Sequence, residues 1–350
     1  MIPVIICGGV GTKMWPESRT ASPKHFLPLF NGKSLFELNW EALRLQYTPA
    51  EIFLQTNKAQ SLLAMELVPE IVEANIFIEP ETRNQGPATG FTAAMLYNEH
   101  PDEPFMLIQA DVLRTPAKRF IEMLEVCDRL ARETGKYITG GFKPTYPVMG
   151  VDYLVPGKRV STDTEVGVYA VDQFLWRGTR EQAEEYTKQK GALIHANHSC
   201  TTPRSLLRMF EQYKPEWYTP LKNIIAGGDI AAEYALMPKG PIEDVTQEVH
   251  KNGDSLVVEL PFEWIDFGTW ESLMNYTSPK DHTNEAHTTE IDAKDNFIRT
   301  SKEKQVALIG VSDLIVVDTE DALLICHKNH TGSVGKVVEA LKEGGKHELV

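Results

Sequence analysis

The sequence predicts an α/β chain: a Rossmann-like, mostly parallel sheet with flanking helices, followed by a small C-terminal module of short strands. Three observations lead there. Residues 2–7 (IPVIIC) and 104–110 (PFMLIQA) carry no charge, as suits strands covered on both faces. From residue 1 to about 200, apolar runs alternate with helix-like segments, the rhythm of strands joined by crossover helices. Near the end QVALIG, DLIVVD and ALLICH recur at nearly even spacing, and a helix is expected over about 335–342.

In chain order, Ser34 can cap a helix through Leu35, Leu38 and Leu43. A strand is expected at 51–55, a helix at 62–67, a strand near 75–78, and the run 104–111 closes on Asp111. Ligands of parallel sheets gather at the carboxyl ends of the strands, so the glycines after the first strand and Asp111 are expected to face one crevice. Beyond about 145 the stretch GFKPTYPVMGVDYLVPG is rich in Pro and Gly and reads as binding loops. Helices follow at 179–189 and 203–212 and a strand at 255–260. TSPKDHTNEAHTTEIDAKDN then reads as a linker. The expected domains are 1–280 and 281–350.

A chain of 350 residues with 42% hydrophobic and 24% charged residues can bury a sizeable core. No apolar run approaches 18 residues and no basic leader precedes the first strand, so a cytoplasmic chain with no membrane association is expected. Cys7, Cys127, Cys200 and Cys326 form no CxxC and read as reduced thiols. A net charge of −14 argues against nucleic-acid partners. It leaves phosphate ligands open, because screening confines surface charge to about 8 Å and a local Lys/Arg cluster decides what binds.

Such a cluster lies at the start. Gly8, Gly9 and Gly11 allow positive φ and clustered backbone N–H groups, the make-up of a phosphate cradle, and Lys13, Arg19 and Lys24 supply countercharge. Pro23 restricts the approach to Lys24. Glycines alone would equally make a tight turn, and neither GxGxxG nor a P-loop is present.

The stretch GGVGTKMWPESR followed by PKHFLPL resembles the signature of the sugar-1-phosphate nucleotidylyltransferases, most closely the mannose-1-phosphate guanylyltransferases. The resemblance implies an enzyme that joins a nucleoside triphosphate, GTP above all, to a sugar 1-phosphate such as mannose 1-phosphate and releases pyrophosphate, with Mg2+ as cofactor. It also implies that the C-terminal module is β-helix-like and serves packing and oligomer contacts, as in a homodimer.

Later segments match in order. IEPETRNQGPATG is similar to the family pattern EPxxRNTAPA at Glu79, Pro80, Arg83, Asn84, Pro87 and Ala88. Asn84 and Gln85 offer donors and acceptors for a base edge, and Gly86 a close backbone approach. The same stretch also reads as a loop capping a helix from Pro87. Asp111 and Asp266 stand where the family has its two metal aspartates. There are departures: Lys13 replaces an arginine and Val112 a histidine. The family's FxEKP aligns with 174–178, which leaves Arg177 for the sugar phosphate and puts Trp176 in place of a glutamate. MGVDYLV keeps Gly150 and Tyr153 of the sugar loop but carries Asp152, and Asn197, Glu243 and Glu248 remain from two further segments.

The expected roles are then these: Lys13, Lys24 and Arg19 catalytic; Gly8, Gly9, Gly11, Thr12, Lys13, Asn84, Gln85 and Gly86 nucleotide-binding; Gly150, Arg177, Asn197 and Glu243 sugar-phosphate-binding; Asp111 and Asp266 on the metal. Two other readings stay open from the sequence: a non-catalytic regulatory relative that binds nucleotide or nucleotide sugar, and a nucleotidylyltransferase for another sugar or base. His195, His198 and Cys200 also have zinc-ligand chemistry, with no fourth ligand nearby.

Overall fold

The computed structural model describes residues 1–9, 11–148, 150–160, 163–189, 191–196, 198–277, 283–284, 287–300 and 304–350. By packing, these form two units. One contains Met1–Gly8, Asn39–Ala110 and Arg114–Trp264; the other contains Gly9–Leu38, Asp111–Leu113 and Ile265–Val350. The expected domains, 1–280 and 281–350, follow chain order; by packing, the C-terminal strands share a unit with the segment that follows the first strand.

In the first unit the charge-free runs do form central parallel strands. Ile2–Ile6 lies between Phe105–Gln109 and Phe53–Thr56, with Val4 level with Leu107 and Phe53, and Ile76–Ile78 extends the sheet. The full order is Ser255–Glu259, Val168–Leu175, Tyr153–Arg159, Leu193–His195, Tyr137–Phe142, Cys200–Thr201, Phe105–Gln109, Ile2–Ile6, Phe53–Thr56, Ile76–Ile78. Beyond Phe105–Gln109 the pairing is antiparallel, except that Ser255–Glu259 runs parallel to Tyr137–Phe142. The sheet is therefore mixed, parallel in its first-built half.

The antiparallel half corrects the loop expectation after residue 145. Tyr153–Arg159 is a strand, and its Pro156 is accommodated because the register with Val168–Leu175 breaks on both sides of it. A bulge is where a residue without an N–H can sit in a sheet. Helices Gln85–Tyr97, Pro203–Tyr213, Pro215–Ile225 and Glu243–Lys251 contribute Phe91, Leu206, Phe210, Trp217 and Val245 to one core with Val4, Phe105 and Leu107.

The second unit has its own core, in which Met14, Trp15 and Leu27 pack with Phe267, Trp270, Ile315, Val317, Val334 and Val338. The expected linker is partly strand. His287–Ile291 pairs in parallel with Gln305–Ile309, and Phe297–Arg299 pairs in parallel with Leu314–Asp318, which then meets Leu323–His327. Parallel pairing between successive short strands gives the module its β-helix-like character. Polar residues hide this in sequence because the turns take positive φ at Asp292, Asp295 and Asp313. The helix Val334–Glu343 closes the module. Among the described residues no helix is long and apolar enough to cross a membrane.

Candidate active site

Gly9 and Gly11 adopt φ of 73° and 77°, a region that L side chains rarely enter. Gly11 is needed for space as well. A Cβ there would lie 2.5 Å from Cγ of Lys24, so the lysine stem rests directly on the glycine backbone. Thr12–Met14 follows as a single 3-10 turn, and Ser18 Oγ closes the loop by donating to the Gly11 carbonyl at 2.7 Å. Val10 lies outside the described residues.

Lys24 follows Pro23, which holds extended backbone and starts the short turn Lys24–Phe26. Its ammonium lies 2.8 Å from Asp111 Oδ2 and 3.5 Å from Asp266 Oδ1, and it also donates to the Phe267 carbonyl. Asp111 follows the strand Phe105–Gln109 and Asp266 ends the strand Glu263–Asp266, so two strand ends deliver the two acids. The two aspartates, 155 residues apart in sequence by their numbers, are thus brought to one cation.

The electrostatics distinguish the pair. Burial works against the charge on Lys24, but the Asp111 and Asp266 carboxylates outweigh it and hold its pKa above the ordinary lysine value. Burial also opposes charge on Asp111, and there the Lys24 ammonium prevails, keeping the carboxyl below its usual range. Asp266 goes the other way. Burial raises its pKa and is the largest influence; the Lys24 ammonium pulls it down, the nearby Asp111 carboxylate pushes it up, and the net direction is upward. Of the two acids Asp111 is thus the more readily ionised, and added positive charge would favour the ionised form of Asp266. Two hard carboxylate donors converging on a single cation suit Mg2+, which takes one or two carboxylates and completes its shell with phosphate oxygens and water.

Arg19, expected among the catalytic residues, has its guanidinium engaged by the C-terminal module. Its guanidinium binds Asp321 through two hydrogen bonds of 2.7 and 3.1 Å and donates to the Glu348 carbonyl.

In the first unit, Asn84 caps the helix Gln85–Tyr97 from φ 72°, its Oδ1 accepting from Gln85 N. The helix starts two residues before Pro87. Asn84 and Gln85 are exposed. Gly86 is buried, and its missing Cβ serves packing: one built there would lie 2.1 Å from the Trp217 ring. That ring is fixed by its Nε1, which donates to the Pro238 carbonyl at 2.7 Å. We expect Gly86→Ala to cost about 1–3 kcal/mol of stability by overpacking, seen as a lowered urea midpoint, whereas Ala at the solvent-facing Gly227 position would report only its positive-φ strain. Beside this loop Tyr234, fully buried, donates to Glu79 Oε1 at 2.6 Å, and burial raises the Glu79 pKa. Sequence reasoning missed Tyr234, since nothing local marks a tyrosine 155 residues away as a partner of Glu79.

Of the expected sugar-phosphate residues, Arg177 and Glu243 meet at an ion cluster with the buried Asp152. Arg177 binds Asp152 through its backbone N–H (2.7 Å), Nε (3.2 Å) and a terminal nitrogen (2.8 Å), and the same nitrogen lies 3.5 Å from Glu243. Its guanidinium also lies over the Trp176 ring, 5.0 Å from the centroid. The arginine expected to anchor a sugar phosphate thus already has its charge met by two carboxylates. Gly150 takes φ 75° in a loop whose end is tied by Tyr153 Oη to both backbone groups of Val148. Asn197 lies outside the described residues. His195 joins Asp152 and Glu243, the three offering ligand atoms within 4.8 Å of one another. The zinc combination of His195, His198 and Cys200 is not assembled. His195 Nε2 meets Thr139 Oγ1, His198 Nε2 accepts from Arg114, and Cys200 lies in a central strand.

Comparison with known proteins bears on what this arrangement serves. A nucleotidyl transferase profile matches residues 2–148, and a mannose-phosphate isomerase/GMP-like β-helix profile matches residues 287–341. A mannose-1-phosphate guanylyltransferase of Escherichia coli is 30% identical over 360 residues, covering 99% of this chain and 75% of that protein. The chain belongs to the mannose-1-phosphate guanylyltransferase family. The corresponding enzyme of Klebsiella pneumoniae is 29% identical over 99% of this chain and 75% of its own length. Among solved structures, mannose-1-phosphate geranyltransferase from Thermus thermophilus superposes with a TM-score of 0.84 at 25% identity, over 97% of this chain and 98% of that one. Membership makes this an enzyme of the nucleotidyl transferase class. Lys24 lies on the segment that carried the family resemblance, residues 8–29, and Asp111 and Asp266 stand at the positions matched to its two metal aspartates.

Proposed function

We propose that this protein transfers GMP from GTP to a sugar 1-phosphate, mannose 1-phosphate or a close relative, and releases pyrophosphate. The observation that carries the proposal is the Lys24 ammonium shared by Asp111 and Asp266 above the Gly11 backbone. A phosphate oxygen of the sugar 1-phosphate attacks the α-phosphorus of the triphosphate, and the bond to the bridging oxygen of the β-phosphate breaks as pyrophosphate leaves. The nucleophile is already an anion, so no base is needed. What the protein must do is hold two anions in line and relieve charge on the α-phosphate.

Lys24 serves the α-phosphate; Lys13, Thr12 and the N–H groups around Gly8, Gly9 and Gly11 serve the phosphates that leave. Asp111 and Asp266 would hold Mg2+, which when bound neutralises phosphate oxygens. Asn84 and Gln85 read the base, with Gly86 setting the loop. Gly150, Arg177, Asn197 and Glu243 are assigned to the sugar phosphate side, where the Asp152–Arg177 pair favours a second reading, an acceptor sugar other than mannose. The deciding experiment is pyrophosphate release from a panel of nucleoside triphosphates against a panel of sugar 1-phosphates, with and without Mg2+. GTP with mannose 1-phosphate is expected to give the fastest Mg-dependent release. Faster release with another sugar supports the second reading, and no release from any pair alongside tight nucleotide binding would make the chain a regulatory relative instead.

A further inference from the structure

The side chains of Trp15, Glu17 and Arg19 leave the segment after the glycine loop on alternate residues, and all three end on the C-terminal module. Trp15 Nε1 donates to the Leu349 carbonyl at 2.8 Å, Glu17 pairs with Arg299, and Arg19 makes its two-pronged bridge to Asp321 while its Nε donates to the Pro16 carbonyl at 2.7 Å. Asp321 is itself oriented by Thr319 Oγ1 at 3.0 Å. At the other end of the loop, Gly335 in the first turn of the helix Val334–Glu343 faces Thr12 and Lys13. A Cβ on it would lie 3.5 Å from Thr12 Oγ1 and 3.9 Å from Lys13 Cγ. The segment that follows the glycines is thus held by the C-terminal module at Trp15, Glu17 and Arg19 and backed by Gly335 at Thr12 and Lys13.

We infer that Asp321 is a positioning residue for the triphosphate site, acting through Arg19, and that the C-terminal module holds the glycine loop in its anion-binding shape. This rests on the proposed function only in taking the loop as the triphosphate site. A two-pronged arginine–carboxylate bridge fixes direction as well as charge, which a single surface contact does not. A loop with two positive-φ glycines has many other conformations, so its affinity for an anion depends on what excludes them. Arg19 is thereby a tether and not a group that touches pyrophosphate.

Asp321→Asn tests this cleanly because it leaves the Arg19 charge in place. The dissociation constant for a non-hydrolysable GTP analogue with Mg2+, measured by calorimetry, is expected to rise about threefold to tenfold. KM for GTP should rise in parallel, with kcat and KM for the sugar 1-phosphate within twofold of the parent. Asp321→Glu should recover most of the loss. Gly335→Leu, which must press on Thr12 and Lys13, should weaken the analogue in the same way, and Gly335→Ala should not. An unchanged dissociation constant in Asp321→Asn overturns the inference, as does a rise in kcat, which would mean that a released Arg19 acts on the leaving group. The calorimetric reading needs no turnover, so the tether can fail while catalysis stands, and catalysis can fail while the tether stands.

Discussion

Lys24→Met is expected to lower kcat by roughly 10²- to 10³-fold, the usual scale for removing one preorganised charge from a developing anion. The dissociation constant for GTP should change by less than tenfold, since the loop and the base-reading residues are untouched. The reasoning starts from the ammonium's place. It lies between Asp111 and Asp266 and on the Gly11 backbone, with most of its surface covered, so it is aimed by its surroundings rather than free to follow a ligand. A charge held in advance stabilises the transition state without being reorganised at the moment of reaction. The pH profile should change too. Lys24 holds down the pKa of both acids, Asp111 most of all. In Lys24→Met the acid limb of kcat/KM should therefore move to higher pH. A variant that lost affinity in full and kept kcat would make Lys24 a binding group only.

The second large effect concerns stability. His195, His198 and His250 are buried in the first unit. Burial, with the Arg177 charge, pushes His195 down to about 4; burial, with Arg114 nearby, holds His198 well below 6.5, and burial, with His195 adjacent, does the same for His250. Each is neutral when folded and takes a proton near pH 6.5 when unfolded. Between the two pKa values the unfolded chain binds more protons, so stability falls as pH drops through 6.5, and for His195 the fall ends near 4. At pH 5 each histidine that stays neutral should cost about 2 kcal/mol relative to pH 7. Urea midpoints at pH 7.5, 6 and 5 measure this. His250→Gln, which removes a titrating ring whose Nδ1 meets Ser255, should flatten the slope. Equal midpoints at pH 7.5 and 5 would show that the rings protonate inside the fold.

These two effects draw on very different amounts of sequence information. The central strands were legible because residues 2–7 and 104–110 are buried on both faces and so carry an unbroken apolar code. Val168–Leu175 and Tyr153–Arg159 were not, since their outer halves are exposed and hold Asp172, Gln173, Lys158 and Arg159. Lys24 and Asp111 are legible from the residues themselves, a lysine behind Pro23 and a carboxylate at a strand's end, whereas Asp266 is marked only by the resemblance, and their convergence needs the fold. Asp152 was visible only as a departure from a pattern. That it would take the charge of Arg177 follows from the register that sets Tyr153 opposite Leu175. The Arg19–Asp321 bridge, 302 residues apart in sequence, left no local trace. Gly86 was expected to admit a ligand and instead admits Trp217, because a missing side chain does not say what fills its place.

The central claim is that Asp111 and Asp266 take a divalent ion together with the triphosphate. Titrating Mn2+ as a paramagnetic stand-in for Mg2+, with a non-hydrolysable GTP analogue present, and following free Mn2+ by electron paramagnetic resonance, tests it directly. The parent protein should bind Mn2+ only when the analogue is present, and Asp111→Asn and Asp266→Asn should each weaken that binding at least tenfold. Undiminished Mn2+ binding in both variants would contradict the account.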